Sequence, residues 1–305
     1  MPTLLGIDLG GTKSAALVGN EHGEVLVRVS DATPAHKDAI ELSGFLLHLA
    51  MTAWDQYGDT IEGCGVSVGG PTDAARGMVF AAPAIPGWGR DGFPLAQALS
   101  QGLNMPVTLE NDADATALAE WRYGAGVGTQ TMAFLTVGTG IGSGLILNGR
   151  LHRGAFGAGG EVGHLIVEPG GRRCACGMYG CLEAYASGPN IVEQAIEYGF
   201  TGEASGQAVT AGARVGDKAC RMAFDQAGEM LGRGLASLTM LLNPERIVLG
   251  TMAVHAGDVL LPPALASLER NCWPRLHRHL ELHPAALGDR AQDLAALCAW
   301  RSDSS

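Results

Sequence analysis

The chain has 305 residues, a net charge of −11, 47% hydrophobic and 17% charged residues, and 45 glycines. That describes a globular protein of two lobes or one large α/β unit, rich in tight turns, and excludes the disordered and fibrous classes. The acidic balance also excludes nucleic acid as a partner, because binding to phosphate backbones takes clustered Lys and Arg.

No segment approaches the roughly 20 unbroken apolar residues of a membrane span. The start Met1-Pro2-Thr3-Leu4-Leu5-Gly6 lacks the basic region and apolar stretch of a signal peptide, so no membrane association and a cytoplasmic location are expected. Leu4 to Ile7 is a short apolar run that reads as a strand and ends in Asp8-Leu9-Gly10-Gly11-Thr12-Lys13, after which Ala15 to Val18 resumes strand character. The same strand, glycine turn, strand order returns at Thr131 to Val137, Gly138-Thr139-Gly140-Ile141-Gly142-Ser143-Gly144 and Leu145 to Leu147. Neither loop fits the P-loop pattern, and neither opens directly into a helix as the dinucleotide fingerprint requires. Glycine turns of this kind can converge several backbone N–H groups into a nest for phosphate oxygens, with Thr12 and Thr139 adding hydroxyls. One such turn alone is most simply a hairpin; two, each with a threonine, favour phosphate. Asp8 is the natural carboxylate for a phosphate-bound Mg²⁺, its plainer reading being a turn aspartate.

Between the loops, His36 to Tyr57 has the apolar spacing of a long helix, and Gly65 to Val68 reads as a buried strand broken by Gly69-Gly70-Pro71. Val107 to Leu109 is a further strand, ending in Glu110-Asn111-Asp112 before the helix-forming run Ala113 to Trp121. Asn111 and Asp112 could simply cap that helix. The same position also exposes a carboxylate at the mouth of a sheet, where ligands of open α/β folds collect.

Farther on, His164 is followed by Cys174, Cys176 and Cys181, the ligand set of a four-coordinate structural zinc. Disulfides cannot account for three thiols so close together; a redox cluster or chance are the alternatives, and no Cys-x-x-Cys pair is present. Cys64, Cys220, Cys272 and Cys298 sit among apolar neighbours and read as reduced core residues. Ala219 to Leu242 is a long helix closed by Asn243-Pro244. Arg246 to Gly250 is a strand running into another glycine turn, and Ala291 to Trp300 a final amphipathic helix. No low-complexity linker divides the chain.

With these pieces the chain resembles the ROK family of sugar kinases. The resemblance covers nearly its whole length and rests on Asp8-Leu9-Gly10-Gly11-Thr12-Lys13, Glu110-Asn111-Asp112-Ala113, Gly138-Thr139-Gly140-Ile141-Gly142, Glu161-Val162-Gly163-His164 and Cys174-x-Cys176-x4-Cys181. It implies an α/β, two-lobed actin-like ATPase (ribonuclease H-like) fold with a structural zinc knuckle and ATP held across the cleft. Residues 1–113 plus 290–305 would form the small lobe and 114–289 the large one.

By the same resemblance Asp112 is the general base that takes a proton from a sugar hydroxyl as it attacks the γ-phosphate of ATP. Gly70, Asn111, Asp112, Glu161, His164 and Glu183 match the positions that bind the sugar. Asp8, Gly10, Gly11, Thr12, Lys13, Gly138, Thr139, Gly140 and Gly250 fall on the side of ATP and its Mg²⁺, and His164, Cys174, Cys176 and Cys181 hold Zn²⁺. A lone Glu161 or Glu183 would be a solvated or salt-bridged carboxylate; their places flanking the knuckle raise them. The chain departs from the family pattern at Ala84, where many members carry asparagine, and at Thr251, where a second glycine is usual.

The run Cys181-Leu182-Glu183-Ala184-Tyr185-Ala186-Ser187-Gly188 resembles the glucokinase branch, which implies a hexose substrate, glucose before N-acetylmannosamine or N-acetylglucosamine. Other family members are sugar-responsive repressors with an N-terminal DNA-binding module. A first phosphate motif at Asp8 and the acidic charge weigh against that, and a non-catalytic sugar-binding regulator stands as the reading from another class. Homodimers, sometimes paired into tetramers, are the assembly the resemblance implies.

Overall fold

The computed structural model describes residues 2–34, 38–81 and 86–300. In chain order the first elements are β1 (Thr3–Leu9), β2 (Lys13–Asn20), β3 (Val25–Ala32), α1 (Ala39–Tyr57), β4 (Gly63–Val68), the short pair β5 (Thr72–Asp73) and β6 (Met78–Val79), α2 (Leu95–Leu103), β7 (Val107–Asn111) and α3 (Asp112–Tyr123). There follow β8 (Met132–Val137), β9 (Ile141–Leu147), β10 (Arg150–Leu151), α4 (Glu183–Ala186), α5 (Gly188–Glu197), α6 (Gly206–Val215), α7 (Lys218–Leu242), β11 (Arg246–Thr251), α8 (Met252–His255), α9 (Gly257–Asn271), α10 (Pro274–His277), β12 (Glu281–Pro284) and α11 (Ala291–Cys298). One sheet has the order β3-β2-β1-β4-β7 and a second the order β10-β9-β8-β11-β12. In the first, β1, β2 and β3 are antiparallel while β4 runs parallel to both β1 and β7. In the second, β11 runs parallel to β8 and β12. None of the described helices is long and apolar enough to cross a membrane.

The chain divides into two compact units, residues 1–128, 144–159 and 286–305 against 129–143 and 160–285. The first unit keeps all of α3, whereas the lobes expected from the sequence part at 113/114. The reason is packing: α3 is one rigid helix that rests on α11, so it stays with the C-terminal helix.

In the first unit, α1 starts at Ala39, capped by a reciprocal pair in which Asp38 accepts from the Glu41 N–H and Glu41 from the Asp38 N–H. His36, the expected start, lies outside the described residues. Leu42, Leu46, Leu49, Ala50 and Ala53 form its buried stripe, packed with Leu5, Ile7, Val66, Leu99 and Leu109. Side chains alternate across a strand, and the other face of β1 and β4 carries Gly6, Gly63 and Gly65. A Cβ at Gly6 would lie 3.1 Å from the Ala296 Cβ, and one at Gly63 or Gly65 would collide with the Trp300 ring or the α11 backbone. Absent side chains thus let α11 lie directly on the sheet. Leu294 through Trp300 are all buried, so this helix is enclosed rather than amphipathic.

Glu120, on α3, is 0% exposed. Its carboxylate accepts from the N–H groups of Ala125 (2.8 Å), Ala286 (3.0 Å) and Leu287 (3.0 Å), stapling the end of α3 to the segment that enters α11. A buried carboxylate is tolerable only with such donors.

In the second unit, α7 and α9 pack closely because a Cβ at Gly228 would meet the Pro263 ring at 2.5 Å, and Gly232 faces Ala264 and Ser267 in the same way. Asn243 closes α7 in the left-handed conformation. β11 passes straight into α8 through Thr251 rather than through a glycine turn. Cys64, Cys220, Cys272 and Cys298 are free and buried.

Candidate functional site

In the first unit, β1, β4 and β7 are parallel neighbours, so their carboxyl ends gather Asp8, the turn Gly69-Gly70 and the run Glu110-Asn111-Asp112. Ligands of open α/β sheets collect at such ends. The β1–β2 turn is closed from β3's end: Thr33 donates from its hydroxyl to the Gly10 oxygen (2.7 Å) and from its N–H to the Thr12 oxygen (2.9 Å). Gly10 is required there, since a Cβ would sit 2.5 Å from the Lys13 oxygen. Gly11, Thr12 and Lys13 are exposed.

Asn111 caps α3, accepting from the N–H groups of Ala113 (2.9 Å) and Asp114 (3.4 Å), while its amide donates to the Gly70 oxygen (3.0 Å). The capping reading holds for Asn111, and the cap fixes the corner from which Asp112 projects. The Asp112 carboxylate lies beside Gly69, where a Cβ would stand 3.3 Å from Oδ2. Asp112 keeps an exposed surface, but the protein packed around its carboxyl group displaces enough water to raise its pKa, opposed by the Ala113 N–H. Burial, then repulsion from Asp112, pushes Asp8 up to about 7. Two carboxyl groups that resist ionising together are suited to a divalent cation and to proton transfer.

Just before this corner, Glu110 is 2% exposed and bound by Arg153, whose NH2 lies 2.7 Å and Nε 3.0 Å from its Oε1. In the sequence Glu110 is visible only as part of a motif and Arg153 carries no signal, because a pairing 43 residues away leaves no local trace.

In the second unit, the loop after β8 is held by the Gly138 N–H donating to the Gly140 oxygen (2.9 Å) and by the Gly188 N–H donating to the Gly138 oxygen (2.8 Å); Thr139 is exposed. Glu183 reaches this loop, its Oε2 accepting from the Ile141 N–H at 2.9 Å. Its other oxygen faces the Cys174 thiol at 3.7 Å, so one carboxylate ties the loop to the cysteine cluster. Gly250 is buried at the end of β11. Thr251, after it, has φ 57° and ψ −110°, a region costly for a β-branched residue, and its hydroxyl pairs with that of Thr136 at 2.6 Å.

His164, Cys174, Cys176 and Cys181 offer four ligand atoms within 4.8 Å of one another. The His164 Nδ1 lies 3.8 Å from the Cys174 sulfur, and the Cys176 and Cys181 sulfurs are 3.7 Å apart. With Zn–S bonds of about 2.3 Å a tetrahedron has edges of about 3.8 Å, which matches these two separations. A tight hairpin shapes it, with the Cys174 N–H on the Met178 oxygen (2.8 Å) and Gly177 at φ 95°. Arg233 of α7 clamps its base through the Val167 oxygen (3.1 Å) and Glu168. Burial pushes the Cys174 thiol up and Cys181 to about 12, while the Met178 N–H lowers Cys176. The His164 Nε2 points the other way and lies 3.9 Å from the Glu161 carboxylate.

The sequence-predicted residues are divided between the two units: Asp8, Gly10, Gly11, Thr12, Lys13, Gly70, Asn111 and Asp112 belong to the first, and Gly138, Thr139, Gly140, Glu161, His164, Glu183, Gly250 and the three cysteines to the second. Ala84 lies outside the described residues.

Two five-stranded sheets, with a strand, glycine turn, strand passage at β1–β2 and again at β8–β9, define the α/β sugar-kinase class of fold. The ROK family model matches residues 4–302, and the chain belongs to the ROK family. It is 32% identical over 291 residues to a glucokinase of Streptomyces coelicolor, covering 88% of each chain. It also superposes on the ROK hexokinase of Thermus thermophilus with a TM-score of 0.86 at 35% identity, covering 97% of this chain and 98% of that one. A ROK family glucokinase from Streptomyces griseus in complex with glucose and AMPPNP gives a TM-score of 0.79 at 32% identity, with 97% and 98% covered.

Proposed function

We propose that this protein is an ATP-dependent hexose kinase that transfers the γ-phosphate of ATP to the 6-hydroxyl of glucose. The observation that carries the reading is Asp112, a carboxylate of raised pKa fixed at the corner between β7 and α3 and open to solvent, in a chain similar to a glucokinase whose structure holds glucose and AMPPNP. As the sugar oxygen forms its bond to phosphorus and the bond to ADP breaks, the hydroxyl proton passes to the Asp112 carboxylate. A raised pKa makes that carboxylate a better base. Phosphoryl transfer otherwise asks for positioning and charge neutralisation. Gly10, Gly11, Thr12 and Lys13, and Gly138, Thr139 and Gly140, supply N–H groups and side-chain donors to the phosphates, with Gly250 on the nucleotide side. Mg²⁺ carried by ATP would neutralise phosphate charge, and Asp8 would hold it.

Gly70, Asn111, Asp112, Glu161, His164 and Glu183 bind the sugar in this reading, which suits a polyol because carboxylates and amides pair with adjacent hydroxyls and reject analogues that lack them. Zinc on His164 Nδ1, Cys174, Cys176 and Cys181 would be structural, fixing the imidazole so that Nε2 is free to face sugar. A homodimer, or a pair of dimers, is the assembly proposed.

The test is ADP release across glucose, N-acetylglucosamine, N-acetylmannosamine, mannose and fructose. Glucose should give the highest kcat/KM. A higher value for an N-acetylated sugar would move the assignment to that kinase, and sugar binding without ADP release would make the chain a regulator.

A further inference from the structure

Glu110 sits one position before Asn111 and two before Asp112, and it is almost wholly buried. Arg153 meets it with a fork of contacts, Nε at 3.0 and 3.3 Å from the two oxygens and NH2 at 2.7 Å, and is itself only 19% exposed. Arg153 lies in the segment after β10, and its backbone oxygen accepts from the Gly159 N–H at 2.8 Å. That neck is tight: a Cβ at Gly159 would lie 2.7 Å from the Gly154 nitrogen. One arginine therefore closes the 153–159 loop with its main chain and grips the end of β7 with its side chain. The strand it grips carries the corner that Asn111 caps and from which Asp112 projects.

We propose that Arg153 is a positioning residue for Asp112, acting through Glu110: the fork fixes the end of β7 in position and angle, and so fixes where the base meets the sugar hydroxyl. This rests on the kinase reading above and deepens it. Arginine rather than lysine is needed, because only the planar guanidinium constrains the carboxylate in two directions at once. Misplacing a base by a fraction of an ångström lowers turnover without removing the groups that bind sugar.

The experiment compares the wild type with Arg153→Lys, Arg153→Gln and the double variant Glu110→Gln/Arg153→Gln, measuring kcat, the KM for glucose and the thermal midpoint of each. Lysine keeps the charge and should fold; we expect its kcat to fall about tenfold with KM for glucose within about twofold and a midpoint near wild type. Arg153→Gln removes the positive charge that faces a buried carboxylate and should lose roughly a hundredfold in kcat, part of which the double variant recovers because the carboxylate charge is removed with it. Wild-type kcat in Arg153→Lys, or losses that follow only the folded fraction, overturns the positioning role while leaving the kinase reading intact. No turnover by the wild type on any hexose overturns the kinase reading, and the positioning role with it.

Discussion

Replacing Asp8 by asparagine should make the protein more stable and inactive at once. The Asp8 carboxyl is raised from 3.8 to about 7, by burial first and then by Asp112 and Asp293, with Arg28 and Ser67 opposing. Because the folded state holds this proton more tightly than the unfolded chain, folding stability falls as pH rises from about 4 to about 7 and levels off above. The full difference corresponds to about 4 kcal/mol at 1.36 kcal/mol per pKa unit. Asp8 is only partly buried, and water relaxing around it reduces that to about 2 kcal/mol. Asparagine keeps the shape and carries no charge. Denaturant midpoints of wild type and Asp8→Asn, measured without nucleotide or Mg²⁺, should coincide near pH 4 and separate as pH rises, the variant leading by about 2 kcal/mol at pH 8. Mg²⁺ with ADP should narrow the gap by stabilising the wild type alone. A variant no more stable than wild type at pH 8, or a gap that does not change with pH, would refute the reasoning.

Metal analysis of purified protein should give one zinc per chain, and Cys176→Ser should lose it and lower the thermal midpoint; a zinc-free wild type at full activity would remove the knuckle's role. Thr251→Gly relieves a strained φ of 57° but gives up the hydroxyl pair with Thr136, for a net gain of about 1 kcal/mol, read as a higher denaturant midpoint. Glu120→Ala leaves the N–H groups of Ala125, Ala286 and Leu287 without their acceptor and should cost about 3 kcal/mol; a loss below about 1 kcal/mol would mean water replaces the carboxylate.

What the sequence discloses here is what is local. The strand, glycine turn and strand around Asp8 could be read directly, because turn chemistry is written in adjacent residues. The corner at Asn111 and Asp112 is legible for the same reason, and so is the meeting of His164 with Cys174, Cys176 and Cys181, which fall in one short stretch. Features made by distant partners were not legible. Ala291 to Trp300 reads as amphipathic until Gly6, Gly63 and Gly65 bring the sheet against its second face. Glu120 reads as an ordinary helix carboxylate until Ala286 and Leu287 arrive from the far end of the chain. Glu183 reads from sequence as a sugar-facing or else a solvated or salt-bridged carboxylate, and neither reading foresees that its Oε2 accepts from the Ile141 N–H of the second glycine loop. Thr251 stands out in the sequence only as a departure from a usual glycine, and its positive φ emerges because β11 runs directly into α8.

The central claim is that Asp112 removes the proton from a hexose hydroxyl. Its most direct test is a paired measurement on wild type and Asp112→Asn, following ADP release with glucose and glucose binding by calorimetry in the same buffer. Asparagine preserves the shape beside Gly69 and keeps an oxygen for the Ala113 N–H, so the account predicts glucose binding within a few-fold of wild type and a kcat lower by at least about a hundredfold. Turnover near the wild-type rate would contradict it.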